Sequence, residues 1–404
     1  MKRTFDFGKK KKKNKTQISR RYDSVELPDD SGQPLLVQTG PDPTFMILTA
    51  LLLVIGLTMF YSASAGVTDE PLDALLEQLK YVGLGLLCVV VEVLALTPQR
   101  VRIGGLAGYV VSVILLVYVL VKGMVGGGAQ RWIRVFGISV QPSEIAKTAL
   151  ILVLAMVFAT FEEEITTGKF GRKKLWYGFV LPLGAYLLIV LLVALEKHIS
   201  GSIILTAITA GMMFIGGTNL YLLLGLGLAG GLGFWGLISL FGYSSGRVET
   251  WLNRGANALT SDWQVTEGLY AIGSGGFFGL GFGESRMKYG YISEPQNDFI
   301  FTVVCEELGF LGAAAIILFF VALIARGMVL AVRAADKFCS YVIFGLTFKL
   351  ALHVILNMMV VTTLVPNTGI SLPFFSSGGS ATIMQLVDIG IILALSRYSS
   401  QKRI

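Results

Sequence analysis

Apolar stretches of spanning length recur along the chain from about Phe45 onward. They lie near 45–65, 75–96, 104–122, 142–160, 176–195, 200–217, 220–241, 299–325, 339–364 and 376–396. A helix needs roughly 20 such residues to cross a bilayer. The pattern predicts an all-α polytopic membrane protein, a bundle of about ten transmembrane helices. Composition agrees: 54% of residues are hydrophobic and 15% charged, against about a quarter charged in soluble domains. Cys88, Cys305 and Cys339 lie in or beside apolar runs without metal-ligand spacing, and read as small buried hydrophobes.

Basic residues orient the bundle. Residues 1–43 are polar and lysine-rich, with a run at Lys9 to Lys13. No apolar signal-peptide region follows within reach. This segment is expected to be a disordered cytoplasmic tail that touches anionic headgroups, with no nucleic-acid partner. Arg100 and Arg102 follow the second stretch, and Lys169, Arg172, Lys173 and Lys174 the fourth. Arg326, Arg333 and Lys337 follow the eighth, and Arg397, Lys402 and Arg403 the last. All fall on the tail's side, which the positive-inside rule places in the cytoplasm. An even number of spans then puts both termini there. The expected division is a tail over 1–43, a transmembrane domain over 44–396 and a short cytoplasmic tail over 397–404.

That orientation makes two segments external. One, about 123–141, is Gly-rich and carries Arg131, Trp132 and Arg134. The other, about 242–298, is a long loop before the eighth helix. It carries Arg247, Trp251, Trp263 and Tyr270 and ends at Glu294-Pro295-Gln296-Asn297-Asp298-Phe299-Ile300-Phe301. An acid at the boundary between a polar loop and an apolar helix is costly, and reads as functional. Capping of the next helix by Asn297 or Asp298 is the other reading.

Three further features carry polar groups into the bundle. Glu144 and Lys147 are three apart, on one helix face. They form either a structural ion pair or part of a cavity wall. Lys349, His353 and Asn357 are four apart and make one polar stripe, as packing contacts or cavity lining. Pro366 to Ser380 breaks helix geometry repeatedly. Its Ser376, Ser377, Gly378 and Gly379 either offer donors to an anion or form a tight turn without a ligand. Two histidines, His198 and His353, do not make a metal cluster.

Four segments together resemble one family. They are TMFYSAS (58–64), GAQRWIRVFGISVQPSEIAK (128–147), the run from Ala271 to Gly312 and VVTTLVPNTGISLPFFSSGGSA (360–381). They are similar to the SEDS family (shape, elongation, division, sporulation), and the GESRMKYGYISEPQNDFIF run is more similar to its division members than to its elongation members. The resemblance implies a peptidoglycan glycosyltransferase that polymerises lipid II, with inversion, at the outer face of the bacterial cytoplasmic membrane. It implies a class B penicillin-binding protein as partner, other division-site membrane proteins nearby, and a divalent cation, magnesium or manganese. The family's essential acid carries over to Asp298. Two departures stand out. The Pro-Asp-Leu-Gly-like motif reads Glu196-Lys197-His198-Ile199-Ser200-Gly201, and Ser377 replaces a tyrosine.

The chemistry then needs a base for a sugar 4-hydroxyl, charge to meet a leaving pyrophosphate, and groups that align two substrates. Asp298 is expected as the base. Arg131, Arg134 and Arg247 are expected to meet phosphate oxygens. Glu144, Lys147, Glu294 and the 376–379 turn complete the expected substrate-binding set. Lipid II transport, or a scaffold without catalysis, are the rival functions.

Overall fold

A computed structural model describes residues 36–38, 40–126, 129–135, 138–166, 171–196, 198–228, 230, 251, 263–334 and 336–400. Among the described residues, eight helices are long and apolar enough to cross a membrane. They are α1 (Pro43–Ser64), α2 (Pro71–Ala95), α3 (Pro98–Lys122), α4 (Pro142–Thr160), α6 (Arg172–Leu195), α9 (Ile300–Val332), α10 (Lys337–Val361) and α11 (Gly379–Ser396). Short α5 (Glu162–Thr166) precedes α6, which contains a π-helical turn at Trp176–Val180. Between α6 and α9 lie α7 (Ile199–Ile215) and α8 (Trp263–Ser274).

About ten spans were expected. Eight of the expected stretches form helices of crossing length. The sixth forms α7, whose 17 residues fall short of it. The polar Glu196 and His198 and the Gly216-Gly217 pair bound that helix on either side. The seventh is helical over 220–228, and most of its remainder lies outside the described residues.

Helix starts follow local chemistry. Proline opens α1, α2, α3 and α4, where its missing N–H has no intrahelical partner to lose. Asp42 caps α1 by accepting from Phe45 N at 2.8 Å, and Asp336 caps α10 by accepting from Cys339 N at 2.7 Å. Helices α4 and α10 are the central ones, with 78% and 67% of their apolar windows buried, against 17% for α2. Residues such as Leu87, Leu94, Ile103 and Ile114 on α2 and α3 face outward, as a lipid-facing surface requires.

The all-α expectation needs one amendment. The Gly-rich segment after α3 is an antiparallel sheet of β2 (Met124–Gly126), β3 (Ala129–Val135) and β4 (Ile138–Val140). Two further strands lie in segments expected as tails: β1 (Leu36–Gln38) pairs with β5 (Tyr398–Ser400).

The two ends of the bundle differ in charge. One gathers the basic residues expected inside. Arg102 pairs with Asp336 at 3.1 Å and Lys337 with Glu162 at 2.8 Å. Arg326 Nε and Nη2 donate to Asp42 at 3.0 and 2.5 Å, tying α9 to α1. The hydrogen bond from Arg326 holds the Asp42 carboxyl below the usual carboxylate range. A lowered folded-state pKa means stability that is present above the unfolded value, about 4, and lost as pH falls. Asp42→Asn is expected to cost about 1–2 kcal/mol at pH 7. The difference from wild type should shrink below pH 4, measured by thermal unfolding in detergent.

Candidate functional site

Asp298 sits at the opposite end, in the turn that leads into α9. It is half-buried, between fully buried Phe299 and partly buried Asn297. The N-cap position of α9 is Phe299 rather than Asn297 or Asp298, and the Phe299 side chain makes no cap hydrogen bond. Asn297 Nδ2 instead donates to Glu294 Oε2 at 2.5 Å, across the turn. Glu294 itself is exposed. A side chain added at Gly369 would lie 3.8 Å from Asp298 Oδ2, so the carboxylate faces the 363–378 segment.

Two amides fix this turn in place. Asn357 on α10 is fully buried, and its Nδ2 donates to the carbonyls of Asp298 and Ile370, each at 2.8 Å. Ser377 N donates to Gln296 O at 2.8 Å. The 363–378 segment is therefore bonded to the chain on both sides of Asp298's loop.

A buried clamp holds the loop before Asp298. Glu306 and Glu307, on the first turns of α9, are 0% and 1% exposed. Glu306 accepts from Ser285 Oγ at 2.5 Å, Arg286 N at 3.1 Å and Met287 N at 3.3 Å. Glu307 accepts from Ser62 Oγ at 2.6 Å and from Lys288 Nζ at 2.8 Å. Lys288 Nζ also donates to Ser62 Oγ and to Gly283 O. Glu307 and Lys288 are thus paired with each other, and both they and Glu306 are multiply hydrogen-bonded, the condition under which burial is tolerated. The helix opens just beyond. Gly309 has φ +66°, and a side chain there would come within 2.2 Å of Gly279 N. Leu280 N and Gly281 N donate to the carbonyls of Glu306 and Glu307, each at 3.0 Å. Only glycine allows both the positive φ and this approach.

The other expected residues fall into separate groups. Glu144 and Lys147 form a buried ion pair at 2.7 Å. His353 Nδ1 lies 2.8 Å from Lys349 O, and a carbonyl only accepts, so Nδ1 carries the proton. Its Nε2, 3.3 Å from Lys147 Nζ, then accepts from the ammonium. Lys349 Nζ pairs with Asp388 Oδ2 at 2.7 Å and donates to Thr148 Oγ1, which donates to Asp388 Oδ1. These groups close on one another, as the structural reading of both stripes expects. Asp388 had not been singled out, although a charge within an apolar span was signal enough.

The 376–379 turn uses several of its polar groups internally. Ser376 Oγ accepts from Leu372 N at 2.7 Å, and Ser377 N is bonded to Gln296. Gly378 O accepts from Thr382 N at 2.8 Å, and Gly379 lies beneath the Tyr81 ring. The tight-turn reading is the one these contacts support.

Arg131 and Arg134 both lie on β3. Three residues apart on a strand, they project from opposite faces, so they do not form one clamp. Arg134 is exposed, and its charge reaches Tyr81 on α2. Arg131 is half-buried, and its charge reaches Glu196 and His198. Arg247 lies outside the described residues. Among the described residues no three His, Cys, Asp or Glu side chains converge on one metal position. They do not fit an all-protein metal cage, and no step below is routed through a metal.

Comparison with known proteins adds to this geometry. Residues 43–401 match the family model FTSW_RODA_SPOVE, described as cell cycle protein. The chain is 38% identical over 368 residues to stage V sporulation protein E of Bacillus subtilis (strain 168), covering 90% of this chain and 98% of that one. It is 34% identical to the probable peptidoglycan glycosyltransferase FtsW of Trichlorobacter lovleyi, covering 88% and 93%. Among solved structures it is similar to the rod shape determining protein RodA of Thermus thermophilus. There the TM-score is 0.66 and identity 26%, over 90% of this chain and 98% of that one. It is also similar to a chain of a peptidoglycan synthase complex that coordinates polymerization and crosslinking, with TM-score 0.72 and 25% identity, over 88% and 98%.

Proposed function

The chain belongs to the FtsW, RodA and SpoVE family and is a multi-pass membrane peptidoglycan glycosyltransferase, and we propose that it polymerises lipid II with Asp298 as general base. The observation that carries this is the placement of Asp298. It lies half-buried in the turn that leads into α9, at the mouth of the bundle, with its carboxylate facing the 363–378 segment.

In this reading the 4-hydroxyl of one lipid-linked sugar approaches Asp298. The carboxylate accepts the proton as the oxygen attacks the anomeric carbon of a second lipid-linked disaccharide. The new C–O bond forms, the bond to pyrophosphate breaks, and the configuration inverts. Undecaprenyl pyrophosphate leaves with the negative charge, which Arg131 meets. A positioned base of this kind contributes about 10²- to 10⁴-fold. The backbone bonds from Asn357 and Ser377, with the Glu306–Glu307 clamp, keep the carboxylate fixed, which is where most positional catalysis arises.

The setting follows from the same membership. The outer face of a bacterial cytoplasmic membrane fits the charge asymmetry of the bundle, with Asp298 at the end away from the basic residues. A class B penicillin-binding protein transpeptidase is the proposed partner, supported by the similarity to a complex that couples polymerization to crosslinking. Septal synthesis alongside other division-site proteins is the proposed use. A divalent cation is proposed to be carried by the substrate's pyrophosphate, so chelation should lower the rate and added magnesium or manganese restore it. The transporter reading would need open charges along the middle of the bundle. The Glu144, Lys147, Lys349 and Asp388 charges are instead paired with one another.

The test is stoichiometric. The purified chain with its transpeptidase partner should release one undecaprenyl pyrophosphate per glycosidic bond formed from labelled lipid II. Lipid II that stays intact in protein shown to be folded and partnered would overturn the reading.

A further inference from the structure

Glu196 follows the last turn of α6, at the same end of the bundle as Asp298. The connection runs through hydrogen bonds. His198 Nδ1 lies 3.2 Å from Ser143 Oγ and 3.4 Å from Gln141 Nε2. Gln141 N donates to Ser380 Oγ at 3.0 Å, at the start of α11. Three residues before Ser380, Ser377 is bonded to Gln296 beside Asp298. The 373–380 turn therefore stands between the Asp298 loop and the Glu196–His198 corner.

Glu196 is the outlier of that corner. It is 2% exposed, and neither carboxyl oxygen has a hydrogen-bond partner among the described residues. Four buried acids of the bundle contrast with it: Glu144, Glu306, Glu307 and Asp388 all accept from named donors. Leaving a buried carboxyl unmet is a cost that a well-packed apolar side chain would remove. Burial pushes its pKa up to about 8, against the pull of the Arg131 guanidinium. His198 is pushed down to about 3, by burial first and then by the Lys147 and Arg131 charges. At neutral pH the corner thus holds a largely neutral carboxyl, with one donor and two acceptor positions open, a neutral imidazole and one guanidinium. That set suits a ligand with hydroxyl and amide groups joined to an anion.

We propose that Glu196 is a substrate-binding residue. With Arg131 it forms a second lipid-linked-sugar subsite, across the 373–380 turn from Asp298. Its carboxyl hydrogen-bonds the hydroxyl and acetamido groups of an amino sugar whose pyrophosphate meets Arg131. The proposal rests on the polymerase reading, which requires two such sugars at once, and it gives each one a side of the turn.

The test reads binding separately from turnover. Lipid II affinity is measured for the full chain with its partner, carrying Asp298→Asn so that turnover is slow against the binding measurement, with and without Glu196→Leu. The expected result is about tenfold weaker binding, the worth of one buried hydrogen-bonding group. The same variant should unfold at a higher temperature without ligand, because the unmet carboxyl is gone. Glu196→Gln, which keeps a donor and an acceptor, should bind within about threefold of the parent. Glu196→Met serves as a second apolar variant of different shape. Wild-type affinity in either apolar variant overturns the subsite, whether stability rises or falls. Weakened binding in both, beside a wild-type chain that makes no polymer, would keep the subsite and overturn the polymerase reading instead.

Discussion

Asp298→Asn is expected to lower the rate of glycosidic bond formation about 10²- to 10⁴-fold at saturating lipid II. The substitution is nearly isosteric and leaves the backbone carbonyl that Asn357 holds. It removes the negative charge, and with it the ability to accept a proton. The loss should therefore fall on kcat, while KM for lipid II stays within a few-fold, because ground-state contacts are kept. Asn357→Ala is the companion variant. It leaves the carboxylate intact but frees two backbone carbonyls, at Asp298 and Ile370. A smaller loss of about tenfold, with lowered stability, is expected from misplaced rather than missing chemistry. If the Asn variant turned over normally while the Ala variant failed, Asp298 would be a bystander on a necessary loop.

The second large effect concerns the clamp. Lys288→Ala or Glu307→Ala leaves one buried charge without its partner, which typically costs about 3–5 kcal/mol. Both side chains are at most 1% exposed, so water does not replace the lost contact. Either variant should show a clear drop in unfolding temperature in detergent, together with loss of activity as the 276–298 loop loosens. Lys288→Met with Glu307→Leu removes both charges and should recover most of the stability. Activity should recover less, because Ser62 and Ser285 then lose an acceptor that fixes the loop. Single variants as stable as wild type would show that the pair does not hold the loop.

The spans were legible because hydropathy alone sets them. Asp298 drew attention in the sequence because an acid at a loop-to-helix boundary is costly wherever it occurs. The helical spacing of Glu144 with Lys147 fixed a shared face, and the ion pair is there. What stayed hidden was pairing between distant segments. Ser62 meets Glu307 across 245 residues, and Lys349 finds Asp388 on another helix 39 residues away. No local periodicity reports such contacts. Asn357 lay on the expected polar stripe, but its service to the Asp298 carbonyl depends on how α10 docks beside the loop. The strands at 124–140 were read as loop because Gly126, Gly127 and Gly128 interrupt any alternation. Once β3 is seen as a strand, its period of two separates Arg131 from Arg134, which charge counting had grouped.

The most direct measurement places the full chain and its transpeptidase partner in vesicles with labelled lipid II. Glycan polymer and lipid II translocation are followed side by side, for wild type and Asp298→Ala. The account predicts polymer from wild type and at least a hundredfold less from the variant, whose fold and partner binding are unchanged. Translocation without polymer, indifferent to Asp298, would contradict it.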